Sequence, residues 1–253
     1  MIPFVRHQRI IEQLNQKPVV YISELLNCLE GVSESTIRRD LRSLSEDGQI
    51  VLLHGGAATL ATTGSSYDMP IERKQQLFMQ EKRAIARYAA SLVLPDEVIY
   101  VDSGTTLFEM VPFLKPKEIQ VVTSNTAILA ELRDARFRCI ILGGEVTETL
   151  GSVTGPITDN MLRTMYFDKA FLGATGFSES SGFSTPDFRE ASKKQIVAHN
   201  SQQVYVLADS SKAGRRALCK FLEINEAVVV CDQAHPILVE HAEYRVAQVD
   251  PDA

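Results

Sequence analysis

The 253-residue sequence contains no run of about 18 apolar residues, so no segment of it is expected to span a membrane as a helix. The opening stretch MIPFVRHQRIIEQLNQ turns charged by Arg6 and has no apolar core of the signal-peptide kind, which leads to the expectation of a soluble, cytoplasmic protein. Cysteine is scarce and scattered: Cys28, Cys139, Cys219 and Cys231 include no C-x-x-C pair. That spacing excludes a disulfide framework and a zinc site, leaving reduced, mostly buried thiols as the expectation. An excess of positive charge is also missing. With 26 Lys and Arg against 32 Asp and Glu, the net charge of −6 rules out bulk attraction to nucleic acid. Any DNA binding has to come from a local cluster. There is no internal repeat and no low-complexity block.

Ordinary globular composition, 45% hydrophobic and 23% charged, supports a sizeable core. Two textures divide the chain. Residues 1–58 read as a small helical head ending in a β-ribbon, 59–74 as an Ala/Thr/Gly/Ser-rich linker, and 75–253 as an α/β domain. In the last part, strands are expected at Val98–Asp102, Ile119–Thr123, Cys139–Leu142, Lys169–Gly173, Val204–Ala208, Ala227–Cys231 and Tyr244–Val249. Helices are expected near 75–92, 105–113, 125–134, 156–165, 187–199 and 235–242. Runs such as VVT, CIIL and AVVV are apolar on both faces, which implies a mostly parallel sheet covered on both sides.

In the head, RHQRIIEQL (6–14) forms one amphipathic helix, and Val19–Ile22 reads as extended. A second helix, capped by Ser23, carries Ile22, Leu25, Leu26 and Leu29 on one face and ends at Gly31. Ser33 then caps a third helix, Glu34–Glu46. At about 100° per residue, Ile37, Leu41 and Leu44 share a stripe, while Ser35, Arg39 and Arg42 project from the opposite side and Arg38 from the flank. Helix, glycine turn, helix is the helix-turn-helix pattern, and arginines on its outer face suit phosphate and guanine contacts. Gln49–Leu53, the turn His54-Gly55-Gly56 and Ala57–Leu60 form a β-ribbon placed like the wing of a winged helix. Residues 1–60 hold six basic and seven acidic side chains, so one copy binds DNA weakly and paired copies are expected.

The stretch VDSGTTLFEM (101–110) runs from strand to hydroxyl-rich turn to helix, a local arrangement suited to an anion. Ser103, Gly104, Thr105 and Thr106 supply hydroxyls and N–H groups, whereas Asp102 repels phosphate and suits a sugar hydroxyl or a bracing role. Other strand ends add Ser124 and Asn125, Gly143 and Gly144, the run Gly173-Ala174-Thr175-Gly176, and Lys212 in DSSK. Together they outline a pocket for a phosphorylated sugar. Helix 187–199 contributes Arg189, Glu190, Lys193 and Lys194; Glu190 and Lys193, one turn apart, fit the pocket and a plain surface ion pair equally well.

The run VSESTIRRDLRSLSEDGQIVLLHGGA resembles the N-terminal signature of the DeoR family of bacterial transcription regulators, and RHQRIIEQL and VVYISEL fit the same pattern. DSGTT, VVTSN, LGGE, FDKAFLGATG and LADSSK resemble the family's sensor domain, so the likeness covers essentially the whole chain. One departure is Leu52, where the family usually carries arginine two residues before the His-Gly-Gly turn. The resemblance implies a winged helix-turn-helix α+β head joined to an α/β sensor similar in fold to ribose-5-phosphate isomerase and coenzyme A transferases. It also allows a homodimer or a homotetramer. Those isomerases carry paired aspartates where this chain reads Gly173-Ala174-Thr175-Gly176, and Glu190 and Lys193 resemble remnants of their acid and base. The expectation is a regulator, a repressor of a carbohydrate operon, with no catalytic residue, no metal and no cofactor. Ser33, Ser35, Thr36, Arg38, Arg39, Arg42, His54 and Gly55 would contact double-stranded operator DNA. Asp102 to Thr106, Ser124, Asn125, Gly143, Gly144, Glu190, Lys193 and Lys212 would surround a sugar-phosphate effector. The alternatives are an isomerase-like enzyme with a fused regulatory head and, more weakly, a protein-docking winged helix.

Overall fold

Ile10, Leu14, Leu25, Leu29, Ile37, Leu41 and Leu44 recur at helical spacing, and they close into one small core with Val20, Ile22, Ile50 and Ala58. The computed structural model describes residues 2–17, 20–29, 31–46, 49–53, 57–60, 78–147 and 151–249. The chain divides into two compact units, residues 1–65 and 66–253. The first contains α1 (Pro3–Gln16), β1 (Val20–Tyr21), α2 (Ile22–Cys28), α3 (Glu34–Glu46), β2 (Ile50–Leu53) and β3 (Ala57–Leu60). Gly31 follows α2 with φ +76°, the left-handed conformation the expected turn needs. Ser23 is not the cap of α2. The helix starts at Ile22 with Tyr21 as its cap, two residues earlier than a Ser23 cap would set it, and the Glu24 carboxylate accepts the Tyr21 N–H at 2.9 Å. The ribbon is wider than expected, because Val20 and Tyr21 pair with Ala58 and Ala57 to make a three-stranded sheet in the order β1-β3-β2.

The second unit contains α4 (Met79–Ser91), β4 (Val98–Val101), α5 (Thr105–Phe108), α6 (Val111–Leu114), β5 (Gln120–Thr123), β6 (Arg138–Ile141), β7 (Glu145–Thr147), β8 (Ser152–Thr154) and α7 (Pro156–Leu162). It continues with β9 (Phe167–Gly173), β10 (Gly176–Ser178), β11 (Gly182–Thr185), α8 (Phe188–His199), β12 (Ser201–Leu207), β13 (Cys219–Leu222), β14 (Val228–Cys231), α9 (Pro236–His241) and β15 (Tyr244–Val246). Seven strands form one parallel sheet in the order β15-β14-β12-β9-β4-β5-β6. Alternate residues serve opposite faces. Ile99 and Val101 pack with α4, α5 and α6 on one side; Tyr100 packs with Leu162 of α7, Val197 of α8 and Leu238 of α9 on the other.

The chain lays down β4, β5 and β6 in one direction, then returns to the far side of β4 for β9, β12, β14 and β15. The order therefore reverses between β4 and β9, and the crevice beyond the carboxyl ends at such a reversal is where open α/β sheets take ligands.

Three differences from the sequence expectations follow from local chemistry. The helix expected over 105–113 is two short pieces, with Pro112 in the first turn of the second. The helix expected over 125–134 is a 3-10 turn, Thr126–Glu131, capped by Asn125, whose side chain accepts the Ala127 N–H. Two antiparallel arrays, β7-β8 and β10-β11-β13, have no counterpart among the expected strands. The thiols are also less buried than expected: only Cys231 is buried, Cys139 and Cys219 are half-buried and Cys28 is exposed. Of the linker expected over 59–74, Thr59 and Leu60 instead belong to β3, paired with Val51 and Ile50, and 61–74 lie outside the described residues.

Candidate functional site

On the head, the Ser33 hydroxyl receives the Thr36 N–H at 3.3 Å and lies 3.0 Å from the Ser35 hydroxyl and 2.9 Å from that of Thr36. This caps α3 and gathers three hydroxyls at its start. Ile37, Leu41 and Leu44 bury one stripe of α3, while Arg38, Arg39 and Arg42 occupy exposed positions. Arg38 donates two hydrogen bonds to Glu34 one turn back, at 2.9 and 2.7 Å, so part of its charge is spent within the helix. Asp40, on the buried side, receives a two-bond fork from Arg6 of α1. Burial would raise the Asp40 carboxyl, but the Arg6 guanidinium outweighs it and holds the group below the ordinary range. His54 and Gly55 lie outside the described residues, and Leu52 of β2 is exposed.

In the second unit, β4 delivers Asp102 to the β4/β9 reversal, where it is 0% exposed. Its carboxylate accepts the Gly173 N–H at the end of β9 at 3.1 Å and the ammonium of Lys194. Lys194 also donates to the Gly173 carbonyl at 3.0 Å and lies 5.4 Å from the centre of the Phe221 ring. Its neighbour Lys193 leaves α8 in a different direction and is 0% exposed. It donates to Ser124 at 2.9 Å, to Ser152 at 2.7 Å and to Glu190 at 3.1 Å, with Asp102 3.8 Å away. The Tyr100 hydroxyl joins Ser124 at 3.0 Å, and Ser103 donates to Ser152 at 2.7 Å.

Two carboxylates and two ammonium groups thus share one buried cluster whose charges cancel, and the hydroxyls saturate what the ion pairs leave over. Burial alone would push the Asp102 carboxyl up; Lys194 and Lys193 outweigh it and hold it below the ordinary carboxylate range. Burial, reinforced by the neighbouring Asp102, raises the Tyr100 phenol well above its usual value, so it stays a neutral donor. The cluster ties β4, β5, β8, β9 and α8 together beneath the DSGTT loop. Above it, Ser103, Gly104 and Thr105 are partly open to solvent while Thr106 is buried.

Against this geometry, two family models match. A DeoR-like helix-turn-helix domain covers residues 6–63, and the DeoR C terminal sensor domain covers residues 78–233. The chain belongs to the DeoR family. It is 38% identical over 237 residues to the Bacillus subtilis HTH-type transcriptional regulator FruR, itself uncharacterized, covering 93% of both chains. It is 30% identical to the lactose phosphotransferase system repressor of Staphylococcus epidermidis, over 87% of this chain and 88% of that one. A solved ribose 5-phosphate isomerase A from Methanocaldococcus jannaschii shares 18% identity, with a TM-score of 0.39 over 52% of this chain and 53% of the other. As a DeoR-type protein the chain is a DNA-binding transcriptional regulator. Among the described residues, no helix is long and apolar enough to cross a membrane.

In this DeoR-family sensor domain, Asp102, Ser103, Ser124, Glu190 and Lys193 converge in one network. Asn125 adjoins it as the cap of the 3-10 turn, and a backbone bridge pairs it with Ser152. Gly143 and Gly144 do not enter the network. They start the β7-β8 hairpin and press on α7, where the Thr158 hydroxyl donates to the Gly143 carbonyl at 2.8 Å. A side chain at Gly144 would meet the Thr158 hydroxyl at 2.2 Å and the Thr154 carbonyl at 2.6 Å. Lys212 sits in the 3-10 turn Ser210–Lys212 beyond β12, two strands over from β4. Glu190 with Lys193 is a buried pair, which removes the surface reading. Two members of the network, Tyr100 and Ser152, were absent from the sequence reading, and Lys194 was named with helix 187–199 but without its partner Asp102. Tyr100 was legible by period, since it shares a strand face with Asp102 two residues on. Ser152 and Lys194 reach the site through contacts 41 and 92 residues apart in the chain, which no local pattern reveals.

Proposed function

We propose that this regulator represses a carbohydrate-use operon and is controlled by a phosphorylated sugar held at the DSGTT loop. The observation that carries this reading is the loop's position: it lies at the β4/β9 reversal, braced from below by Asp102 and Lys194 and open to solvent at Ser103, Gly104 and Thr105. Because the buried charges cancel, the phosphate's charge falls to the loop's N–H groups and the Ser103 and Thr105 hydroxyls. Asp102 acts as brace for that grip. The named function of the Staphylococcus epidermidis relative, a repressor of a sugar phosphotransferase system, supports the choice of repression and of sugars.

The polar cluster argues against turnover. A sugar-phosphate isomerase needs a base free to move a proton between carbons, whereas both buried carboxylates here are saturated by lysines. The run Gly173-Ala174-Thr175-Gly176 supplies no replacement carboxylate. The head, which runs at least through the end of β3 at Leu60, reads operator DNA through Ser33, Ser35, Thr36, Arg38, Arg39, Arg42, His54 and Gly55. A linker that starts after β3 leads from the head to the sensor. Two or four copies supply the affinity that a nearly neutral head lacks. The effector must prefer one of two arrangements of the sensor, since equal affinity for both shifts nothing.

The test is a thermal-shift panel of pentose and hexose phosphates on the full chain. One compound should raise the melting temperature, and Thr105→Val with Thr106→Val should abolish the shift. A full response in the double variant moves the pocket elsewhere, and conversion of ribose 5-phosphate or another panel member to an isomer overturns the non-enzymatic reading.

A further inference from the structure

Among the described residues of the head, Arg6 and Asp40 are the charged side chains that are buried, at 6% and 4% exposure. They belong to α1 and α3, 34 residues apart. The guanidinium Nε donates to Asp40 Oδ2 at 2.6 Å and Nη2 donates to Oδ1 at 3.0 Å, a planar two-bond fork. His7 Nε2 lies 3.3 Å from the same Oδ1, so consecutive residues of α1 close on one carboxylate.

Such a pair is a poor way to gain stability, because apolar residues of similar volume usually do as well or better. Its directional geometry is what apolar packing lacks. Ile37, Leu41 and Leu44 seat α3 on the core through contacts that tolerate a small turn of the helix about its axis. A fork with two parallel bonds does not tolerate it. Asp40 directly follows Arg39 and precedes Arg42 by two residues, so its orientation sets the direction in which both outward arginines leave the helix. Base-edge recognition by arginine depends on that direction, whereas attraction to phosphate does not.

We infer that Arg6 and Asp40 are positioning residues for DNA recognition: the fork sets the rotation of α3 and thereby the preference of this regulator for its operator sequence over other DNA. The contribution is to specificity more than to folding.

The test uses the full chain and a duplex enriched from a random-sequence pool by the wild-type protein, with a scrambled duplex as control. Arg6→Met combined with Asp40→Leu removes both charges, so the net charge and the general attraction to DNA stay the same. The double variant should keep the head's melting temperature yet lose at least tenfold in preference for the enriched duplex, with scrambled-duplex affinity unchanged. Wild-type preference in a folded double variant overturns the inference. If that variant fails to fold, Arg6→Lys decides. It keeps the charge but cannot make the fork, and it should fold and lose part of the preference; a fully retained preference overturns the inference. A pool from which no sequence is enriched overturns sequence-specific binding itself, and the inference with it.

Discussion

Replacing Lys194 by Met removes the principal positive partner of Asp102 while keeping most of the side chain's volume. The carboxylate would remain 0% exposed, with the Gly173 N–H at 3.1 Å and Lys193 no closer than 3.8 Å. Taking one partner from a buried pair costs about 3–5 kcal/mol. Spread over a unit of this size, where 1 kcal/mol shifts the melting temperature by about 2–4 °C, the sensor transition should fall by roughly 6–20 °C. Calorimetry at pH 7 reads this directly. Adding Asp102→Leu removes the stranded charge as well, so the double variant should recover most of the loss. A single variant that melts within about 2 °C of wild type, less than 1 kcal/mol, would refute the view that these charges depend on each other. So would a double variant less stable than the single one.

Acid should weaken both units. Asp102 and Asp40 sit below their ordinary value of 3.8 in the folded chain, so each contributes stability that is complete above that value and is lost as the pH falls through the lowered one. Urea unfolding from pH 7 to pH 3 should show stability declining below about pH 4; constant stability would contradict it. Arg39→Ala should weaken operator binding and lower the salt slope by about one, and an unchanged slope in a filter-binding series would remove α3 from the interface. Gly144→Ala forces a methyl against the Thr158 hydroxyl and the Thr154 carbonyl, and thermal melts should show a loss of about 1–3 kcal/mol.

The parts of the fold that were legible in sequence are those whose pattern is local and long. Runs such as VIYV and VVVC are apolar on both faces and could only be inner strands, and the stripe of Ile37, Leu41 and Leu44 places α3 by its period alone. The β7-β8 and β10-β11 hairpins escaped because strands of three or four residues are too short to show an alternation. The site was half legible. DSGTT stood out by its hydroxyls after an apolar strand. Whether Glu190 and Lys193 faced solvent or core depended on β5 and β8, which meet α8 only through the tertiary fold. The sequence placed Lys193 and Lys194 with the pocket but could not assign their partners, and only those separate partners show that both are enclosed.

Fluorescence anisotropy of the full chain on its enriched duplex, titrated with sugar phosphates and with the same sugars lacking phosphate, joins the two halves of the proposed function. One phosphorylated sugar should change the duplex affinity, its unphosphorylated counterpart should not, and Thr105→Val with Thr106→Val should remove the response. Equal responses to sugar and sugar phosphate, no response to any of them, or an intact response in the double variant would contradict a phosphate-reading sensor at the DSGTT loop.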